Sequence, residues 1–248
     1  MNTIYGLIGR KLGHSFSQRF FTEKFAAEGV AAEYRNFEID DISRIKEIVA
    51  GNPQLRGLNV TFPYKTEVMP LLDNIDDNAR RVGAVNVIAI SRNDDGTFAL
   101  CGYNTDIIGF ADMLEPLALP AGTKALVLGT GGASRAVIAA LNARGVEVTR
   151  VSRHEAPGLL TYQQLTKPII EAHTVVVNAT PLGTYPDTSG APDIPYHLLD
   201  GRHICIDLVY NPAVTQFMAR CAEHGALVRN GLHMLVSQAI ASYKIWNS

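Results

Sequence analysis

The sequence is poor in the features that mark secreted, membrane-inserted or metal-binding proteins. Its three cysteines are an odd set without C-x-x-C spacing, which suits a reducing compartment. The N-terminus opens without a basic leader, and no apolar run approaches the roughly 18–20 residues that cross a bilayer. None of the seven histidines falls in a ligand spacing such as H-E-x-x-H. We therefore expect a cytoplasmic protein without a membrane span or a bound metal.

The sequence also has no large excess of positive or negative charge. The 22 Lys and Arg against 24 Asp and Glu leave a formal net charge of −2. Such a chain has no long-range positive field to attract nucleic acid or an anionic membrane. We expect it to act on a small molecule, as a monomer or homodimer. With 248 residues, 47% of them hydrophobic, it can bury two ordinary cores.

The first hundred residues alternate short β-like runs with helical stretches, a pattern typical of an α/β domain. An Asp95-Gly96 step between the last two predicted strands indicates a hairpin turn. The sequence thus predicts a first domain over residues 1–104. Its expected strands are Ile4–Gly9, Ala32–Ile39, Leu58–Thr61, Ala84–Ile90 and Phe98–Tyr103, and its expected helices are Ser17–Glu28 and Ile42–Ala50.

A second α/β domain is predicted over residues 105–230. It begins with an apolar helix and continues with a buried parallel strand and later strands bounded by turn residues. The last stretch, residues 231–248, reads as a helix, and we expect it to pack back on the first domain. The expected elements are the helices Ile107–Leu114 and Gly231–Trp246 and the strands Lys124–Gly129, Val146–Ser152, Thr174–Asn178 and His203–Val209.

A glycine-rich loop follows the first strand of the second domain and opens a helix. Gly129 permits a sharp turn, and Gly131 and Gly132, with Ala133, let the main chain approach a pyrophosphate at the helix N-terminus. Ser134 occupies the position of the third glycine of the fingerprint. The loop predicts a Rossmann-type dinucleotide site, with an ordinary tight turn as the alternative.

The next strand ends in Ser152-Arg153 rather than in an acid. A carboxylate here would bind a free ribose 2′-hydroxyl, whereas the planar fork of an arginine pairs with a 2′-phosphate. The pattern favours NADP over NAD. The alternative is that Arg153 lies on a solvated surface, which is common for an isolated arginine.

The densest polar cluster of the first domain is Asn59–Lys65. Pro63 fixes the loop, and Asn59, Thr61 and Lys65 can converge on hydroxyl groups and a carbonyl. Considered alone, Lys65 is more typical of a solvated surface charge. Asp106, which precedes an apolar helical run, is equally typical of a helix cap.

Taken together, motifs along nearly the whole chain resemble the shikimate dehydrogenase family. The motifs are His14–Ser17, Asn59–Lys65, Gly83–Asn86, Gly102–Asp106, Gly129–Ala136, Asn178–Pro181, Asp207–Pro212 and Gly231–Leu235. The resemblance implies an N-terminal substrate domain and a Rossmann domain with a cleft between them. It also implies the NADP-dependent, reversible reduction of 3-dehydroshikimate to shikimate in the aromatic amino acid precursor pathway.

The resemblance further implies the roles of individual residues. Lys65 and Asp106 would be the catalytic pair, with Lys65 as the proton donor and acceptor. Ser15 and Ser17 would bind the substrate carboxylate, Asn59, Thr61, Asn86, Asp106 and Gln238 its ring hydroxyls, and Tyr210 would face the substrate. The cofactor would contact Gly129, Gly131, Gly132, Ala133, Ser152, Arg153 and Thr180, with Gly231 closing the nicotinamide pocket.

The match to the family pattern has gaps. Lys11 and Gln18 stand where proline often flanks the serine motif, and Val87 replaces a common threonine after Asn86. These changes bear on loop stiffness and substrate range. One alternative is a quinate/shikimate dehydrogenase that uses NAD, and another is a non-catalytic, cofactor-binding regulatory protein. Folate dehydrogenases and aminoacyl-tRNA reductases share the layout, but the serine pair and Asn59–Lys65 argue against them.

Overall fold

The computed structural model describes residues 2–13 and 16–248. The chain separates into a first unit, Met1–Thr105 with Ala239–Ser248, and a second unit, Asp106–Gln238. Each unit combines strands and helices, so the predicted α/β class is confirmed. Within the described residues, no helix has the length and apolar character needed to span a membrane.

A mixed sheet forms the centre of the first unit. Its strands lie in the spatial order β2-β1-β3-β5-β6-β4. The neighbours β1–β2, β1–β3 and β4–β6 are parallel, and β3–β5 and β5–β6 are antiparallel. The predicted hairpin is therefore present as β5 and β6. The strands are β1 (Thr3–Gly9), β2 (Ala32–Glu38), β3 (Leu55–Val60), β4 (Asn74–Ile75), β5 (Val87–Arg92) and β6 (Phe98–Tyr103).

Helices cover both faces of this sheet. One face packs its aliphatic side chains against α2, α3 and α4, and the other packs aromatic side chains against α1 and the last turns of the C-terminal helix. Successive strand residues such as Val87 and Ile88 supply opposite faces, as strand periodicity requires. The helices are α1 (Phe16–Glu28), α2 (Ile45–Gly51), α3 (Tyr64–Glu67) and α4 (Asp77–Val82).

The strand predicted at Ala84–Ile90 begins later than expected. Helix α4 ends at Val82, Gly83 caps it, and the next residues form a connection rather than a ladder. In that connection the Val85 N–H donates to the carbonyl of Lys65 at 2.7 Å. Regular pairing therefore starts only at Val87, and the apolar character of Ala84 and Val85 reflects burial in the connection.

The second unit contains an entirely parallel sheet in the order β12-β11-β10-β7-β8-β9. This is the Rossmann order, in which the direction of winding reverses between β7 and β10. Its strands are β7 (Lys124–Leu128), β8 (Glu147–Ser152), β9 (Leu159–Thr161), β10 (Val175–Asn178), β11 (Ile204–Asp207) and β12 (Leu227–Arg229). Its helices are α5 (Asp106–Leu114), α6 (Gly132–Ala143), α7 (Lys167–Ala172), α8 (Gln216–Glu223) and the first turns of α9 (Leu232–Trp246).

The second unit buries a core on each face of its sheet. Val127, Val177 and Ile206 pack against α5, α6 and α9, while Leu126 and Val176 pack against α7 and α8. Because both faces are covered, the central strands β7, β10 and β11 are almost continuously apolar. All three cysteines are free thiols: Cys205 and Cys221 are buried in the second unit, and Cys101 is half-buried on β6 of the first.

Candidate active site

One corner of the first unit brings together four predicted site residues, namely Asn59, Thr61, Lys65 and Asn86. Asn59 lies near the end of β3, and Lys65 lies in the short helix α3 that follows. The Val60 N–H donates to the carbonyl of Asn86 at 2.8 Å, and the Lys65 carbonyl accepts from the segment that ends at Asn86. These main-chain bonds hold the Asn59–Lys65 loop beside the start of β5.

Helix α3 is anchored by Tyr64. Its ring is fully buried, and its hydroxyl donates to the carbonyl of Ile39 at 2.7 Å. Because this anchor is the immediate neighbour of Lys65, the lysine starts from a fixed main chain while its own side chain stays half-buried. The main chain that carries the Lys65 side chain is therefore fixed in position.

A buried hydrogen-bond network connects the two candidate amides. The Oδ1 of Asn59 accepts from the Tyr34 hydroxyl at 2.7 Å, and its Nδ2 donates to the Ser242 hydroxyl at 3.0 Å. The Ser242 oxygen lies 3.1 Å from that of Thr105. Thr105 in turn accepts from the Nδ2 of Asn86 at 3.0 Å and donates its N–H to the Oδ1 of Asn86 at 2.7 Å. Both amides are thereby oriented by protein groups.

Ser17 joins the same network through Tyr34. Burial raises the pKa of the Tyr34 hydroxyl well above its usual range, and a hydrogen bond with the Ser17 side chain opposes that rise. The Tyr34 ring stacks on Phe21 with centroids 4.7 Å apart, which fixes its position. Ser15, the other predicted carboxylate ligand, lies outside the described residues.

In the second unit, Asp106 is the first residue of α5 and is buried. One turn later, Gly109 allows α5 to approach α9 closely: a methyl group there would come within 2.5 Å of the Met234 carbonyl oxygen and 3.1 Å of Gln238. The Gln238 amide donates to the carbonyl of Leu235 at 2.9 Å. The close helix packing thus brings the candidate residues Asp106 and Gln238 to neighbouring turns.

The predicted cofactor loop lies where the winding of the second sheet reverses. Gly129 follows β7 with φ of 108°, a conformation that favours glycine. A side chain at this position would meet the carbonyl of Ala179, which follows β10, at 3.1 Å. The loops after the two strands therefore meet at the switch point, the place where Rossmann domains bind dinucleotides.

The start of α6 leaves room for a ligand. Gly131 is exposed, and a methyl group added there would meet no protein atom within 4 Å. Helix α6 begins at Gly132 and continues for 12 residues, so its first N–H groups and its dipole face the same open space as the half-buried Ala133. Ser134 is buried and donates to the Gly131 carbonyl at 2.7 Å, which braces the loop. These features fit a bound pyrophosphate.

A second polar network lies at the ends of β10 and β11. The Asn178 Oδ1 accepts from the Thr180 hydroxyl at 2.6 Å, and its Nδ2 donates to Asp207 at 2.9 Å. Asp207 also accepts from the Thr215 hydroxyl at 2.5 Å and from the Val209 N–H at 3.0 Å. The network fixes Thr180 beside the switch point.

The candidates Gly231 and Tyr210 lie by the segment that follows β11. The Gly231 N–H donates to the Val209 carbonyl at 3.1 Å, and its Cα packs against the main chain of Leu208. Tyr210, next to Val209, is half-buried. These positions lie at the same carboxyl edge of the sheet as Thr180.

At the end of β8, Ser152 is half-buried and Arg153 is exposed. The Ser152 hydroxyl accepts from the His154 N–H at 3.2 Å, which closes a tight turn after the strand. Arg153 lines a cavity of about 210 Å³ together with Tyr162, Gln163, Leu182, Ala191 and Asp193. A cation and a carboxylate thus border the same space.

Asp207 makes the stability of the protein depend on pH. Burial raises its pKa to about 6, against a usual 3.8, although hydrogen bonds from Thr215, Val209 and Asn178 oppose the rise. Between these values the folded state binds more protons than the unfolded state, so stability falls as pH rises. We expect this group to cost about 2 kcal/mol of unfolding free energy between pH 4 and pH 7.

The Asp207→Asn variant is the control for this pH dependence, because its side-chain amide does not titrate. The substitution also alters the hydrogen bonds of residue 207, but that effect is the same at both pH values and cancels in the comparison. Denaturant unfolding of both proteins at pH 4 and pH 7 measures the difference. Relative to the variant, wild type should lose about 2 kcal/mol across that range. Parallel pH profiles would contradict the assignment of the titration to Asp207.

Three residues of the first network were missed by sequence reasoning: Tyr34, Thr105 and Ser242. From the sequence, Tyr34 is typical of a strand residue in the core, and Thr105 belongs to the segment expected to cap the helix that follows. Ser242 carries a usable signal, since a serine within an apolar helix must find a partner when it is buried. Lys65 and Asp106 belong to different units, and their pairing stays a prediction.

A Rossmann unit with a glycine-rich loop, in one chain with an α/β unit that presents a lysine and oriented amides, defines a nucleotide-dependent oxidoreductase. The family model of the shikimate dehydrogenase substrate binding domain matches residues 7–88. The "Shikimate dehydrogenase (NADP(+))" of Symbiobacterium thermophilum is 36% identical over 98% of this chain and 88% of its own length. The chain belongs to the shikimate dehydrogenase family, as the sequence motifs predicted.

Solved structures agree with this assignment. Shikimate 5-dehydrogenase from Thermus thermophilus, solved in complex with NADP(H) and shikimate, is 30% identical with a TM-score of 0.84, covering 98% of this chain and 93% of that one. Quinate dehydrogenase from Corynebacterium glutamicum, in complex with NAD, is 26% identical with a TM-score of 0.85, covering 99% and 93%. The predicted pair of a substrate domain and a Rossmann domain is the architecture of this family.

Proposed function

We propose that this chain catalyses the NADP-dependent interconversion of 3-dehydroshikimate and shikimate. The observation that carries the proposal is the similarity, over almost the full chain, to proteins named "Shikimate dehydrogenase (NADP(+))". The fold adds a physical reason, because the switch point of the second sheet offers an open cradle at the N-terminus of α6. Steady-state reduction of 3-dehydroshikimate with NADPH tests it.

The first unit supplies groups suited to a hydroxylated ring acid. Asn59 and Asn86 each offer amide donors and acceptors, and Thr61 adds a hydroxyl. Ser17, with Ser15, is proposed to bind the substrate carboxylate. Oriented neutral groups of this kind discriminate strongly, because a substrate lacking a matching hydroxyl leaves a buried partner unsatisfied.

Lys65 is proposed to move the proton. In the reductive direction its protonated amine donates a proton to the carbonyl oxygen as negative charge develops there, and in the oxidative direction the neutral amine accepts the hydroxyl proton. Asp106 is proposed to accept a hydrogen bond from a substrate hydroxyl. NADP(H), when bound, supplies or accepts the hydride.

The second unit is proposed to hold the cofactor. Gly131 leaves open space for the pyrophosphate, and the N-terminus of α6 would stabilise its charge. Gly129, Gly132 and Ala133 are proposed to line the same loop. Thr180 and Gly231 lie at the carboxyl edge of the sheet, where the nicotinamide would bind. Tyr210 and Gln238 are proposed to contact the substrate. Ser152 and Arg153 would bind the adenosine 2′-phosphate.

Arg153→Ala should raise the KM for NADP by about 10–100-fold and change the KM for NAD less than threefold. The guanidinium pairs with the 2′-phosphate through a charge-assisted fork, and NAD lacks that group. Initial rates with each cofactor at saturating shikimate measure both constants. Equal losses for the two cofactors would mean that Arg153 supports the fold of the loop rather than the phosphate.

A second candidate is a quinate/shikimate dehydrogenase that uses NAD. Asp193 favours it, because this carboxylate borders the same cavity as Arg153 and would repel a phosphate. Assays of shikimate and quinate, each with NADP and NAD, separate the two enzymes. We expect the highest kcat/KM for shikimate with NADP, and no turnover in any combination would favour a regulatory protein.

A further inference from the structure

We propose that Ser242 is a positioning residue that sets the orientation of both amides expected to bind the substrate ring. Its hydroxyl contacts Asn59 directly and reaches Asn86 through Thr105. Nothing in the family motifs includes Ser242, which lies on the C-terminal helix. The inference rests on the proposed function, because it concerns how the ring hydroxyls of shikimate are recognised.

The contacts on Asn59 define which way its amide faces. The Tyr34 hydroxyl donates to Oδ1 at 2.7 Å and Ser242 accepts from Nδ2 at 3.0 Å, so the oxygen and nitrogen ends are distinguished by their partners. Each end keeps one further hydrogen-bonding capacity, one lone pair and one N–H. The remaining lone pair and N–H of Asn59 point in fixed directions only while Tyr34 and Ser242 both hold the amide.

The Asn86 end of the network is built in the same way. Thr105 donates its N–H to the Oδ1 of Asn86 and accepts from its Nδ2, which again distinguishes the two ends of an amide. The hydroxyl of Thr105 lies 3.1 Å from that of Ser242. One serine oxygen therefore links the two oriented amides across the first unit.

Burial gives this link its effect. Ser242 and Thr105 are fully buried, and Asn59 and Asn86 expose no more than 5% of their surface. If the serine hydroxyl is removed, Asn59 and Thr105 each lose a hydrogen-bond partner, and water does not reach the buried site to replace it. The amides must then turn or keep an unsatisfied polar group. One helical turn later, the Trp246 indole N–H donates to the Ile88 carbonyl at 3.1 Å and holds this face of α9 in place.

Two variants of equal shape test the proposal. Ser242→Thr keeps the hydroxyl and Ser242→Val replaces it with a methyl group, so both add the same volume. We expect kcat/KM for shikimate to be about tenfold lower in S242V than in S242T, mainly through KM. The KM for NADP should differ less than twofold between them. A general loss of folding would not change the KM for shikimate while leaving the KM for NADP unchanged.

Equal kinetic constants for S242T and S242V would overturn the proposal, whatever their thermal stabilities. If the added methyl prevents folding, Ser242→Ala and Tyr34→Phe remove one hydroxyl each without adding volume. Each should raise the KM for shikimate about tenfold against wild type, and wild-type values in both would overturn the proposal. Wild-type turnover in the same assay tests the proposed function separately, since a chain inactive on shikimate would overturn that function and, with it, the role of Ser242.

Discussion

The Lys65→Ala variant should have a turnover number about a thousandfold below wild type in either direction of the reaction. The substitution removes the group that donates a proton to the carbonyl oxygen, and water is a poor replacement at neutral pH. The dissociation constant for NADP should change less than twofold, because the cofactor loop belongs to the second unit. Single-turnover kinetics and cofactor titration measure the two effects.

Glu67→Ala is the matched control, because Glu67 is an exposed residue of the same short helix α3. It should keep at least half of wild-type turnover. Thermal unfolding of both variants checks that helix α3 and its Tyr64 anchor are retained. A Lys65→Ala enzyme with unchanged turnover would refute the assignment of Lys65 as the proton donor.

Trp246→Ala should lower the free energy of unfolding by about 3–5 kcal/mol, the usual cost of deleting a large buried aromatic side chain. The Trp246 ring stacks on Tyr5 with centroids 4.9 Å apart and lies against Gly57 of β3. The substitution also leaves the Ile88 carbonyl without its indole donor. Urea unfolding followed by circular dichroism measures the loss.

Ile240→Ala is the control on the same helix, since its side chain is 38% exposed. It should change the unfolding free energy by about 0.5 kcal/mol or less. If both variants lost the same free energy, the effect would belong to the helix as a whole. The specific packing of Trp246 in the aromatic core would then not be responsible.

Local patterns were enough to predict the glycine-rich loop between a strand and a helix. The apolar strand β7, the glycines after it and the amphipathic helix α6 are consecutive in sequence, and each obeys a short-range rule. The Asp95-Gly96 hairpin is a similar case. The order of the parallel strands follows less directly, because β9 and β12 have only three residues each and show no periodicity.

The hydrogen-bond network around Asn59 depends on contacts that are distant in sequence. Asn59 and Ser242 are 183 positions apart, and no local rule pairs an amide near the end of a strand with a serine of the last helix. Asp207 is similar, because its raised pKa follows from burial that its sequence neighbours do not reveal. Family resemblance named Asn59, but only tertiary packing identifies what orients it.

The distribution of the thiols makes it possible to follow each half of the molecule separately. Cys205 and Cys221 lie in the core of the Rossmann unit, where a bulky thiol reagent reaches them only after that unit opens. The single tryptophan, Trp246, reports on the other unit by its fluorescence. Labelling rates at the two cysteines, compared with the emission of Trp246, would therefore reveal whether the two halves unfold as one cooperative body or in sequence.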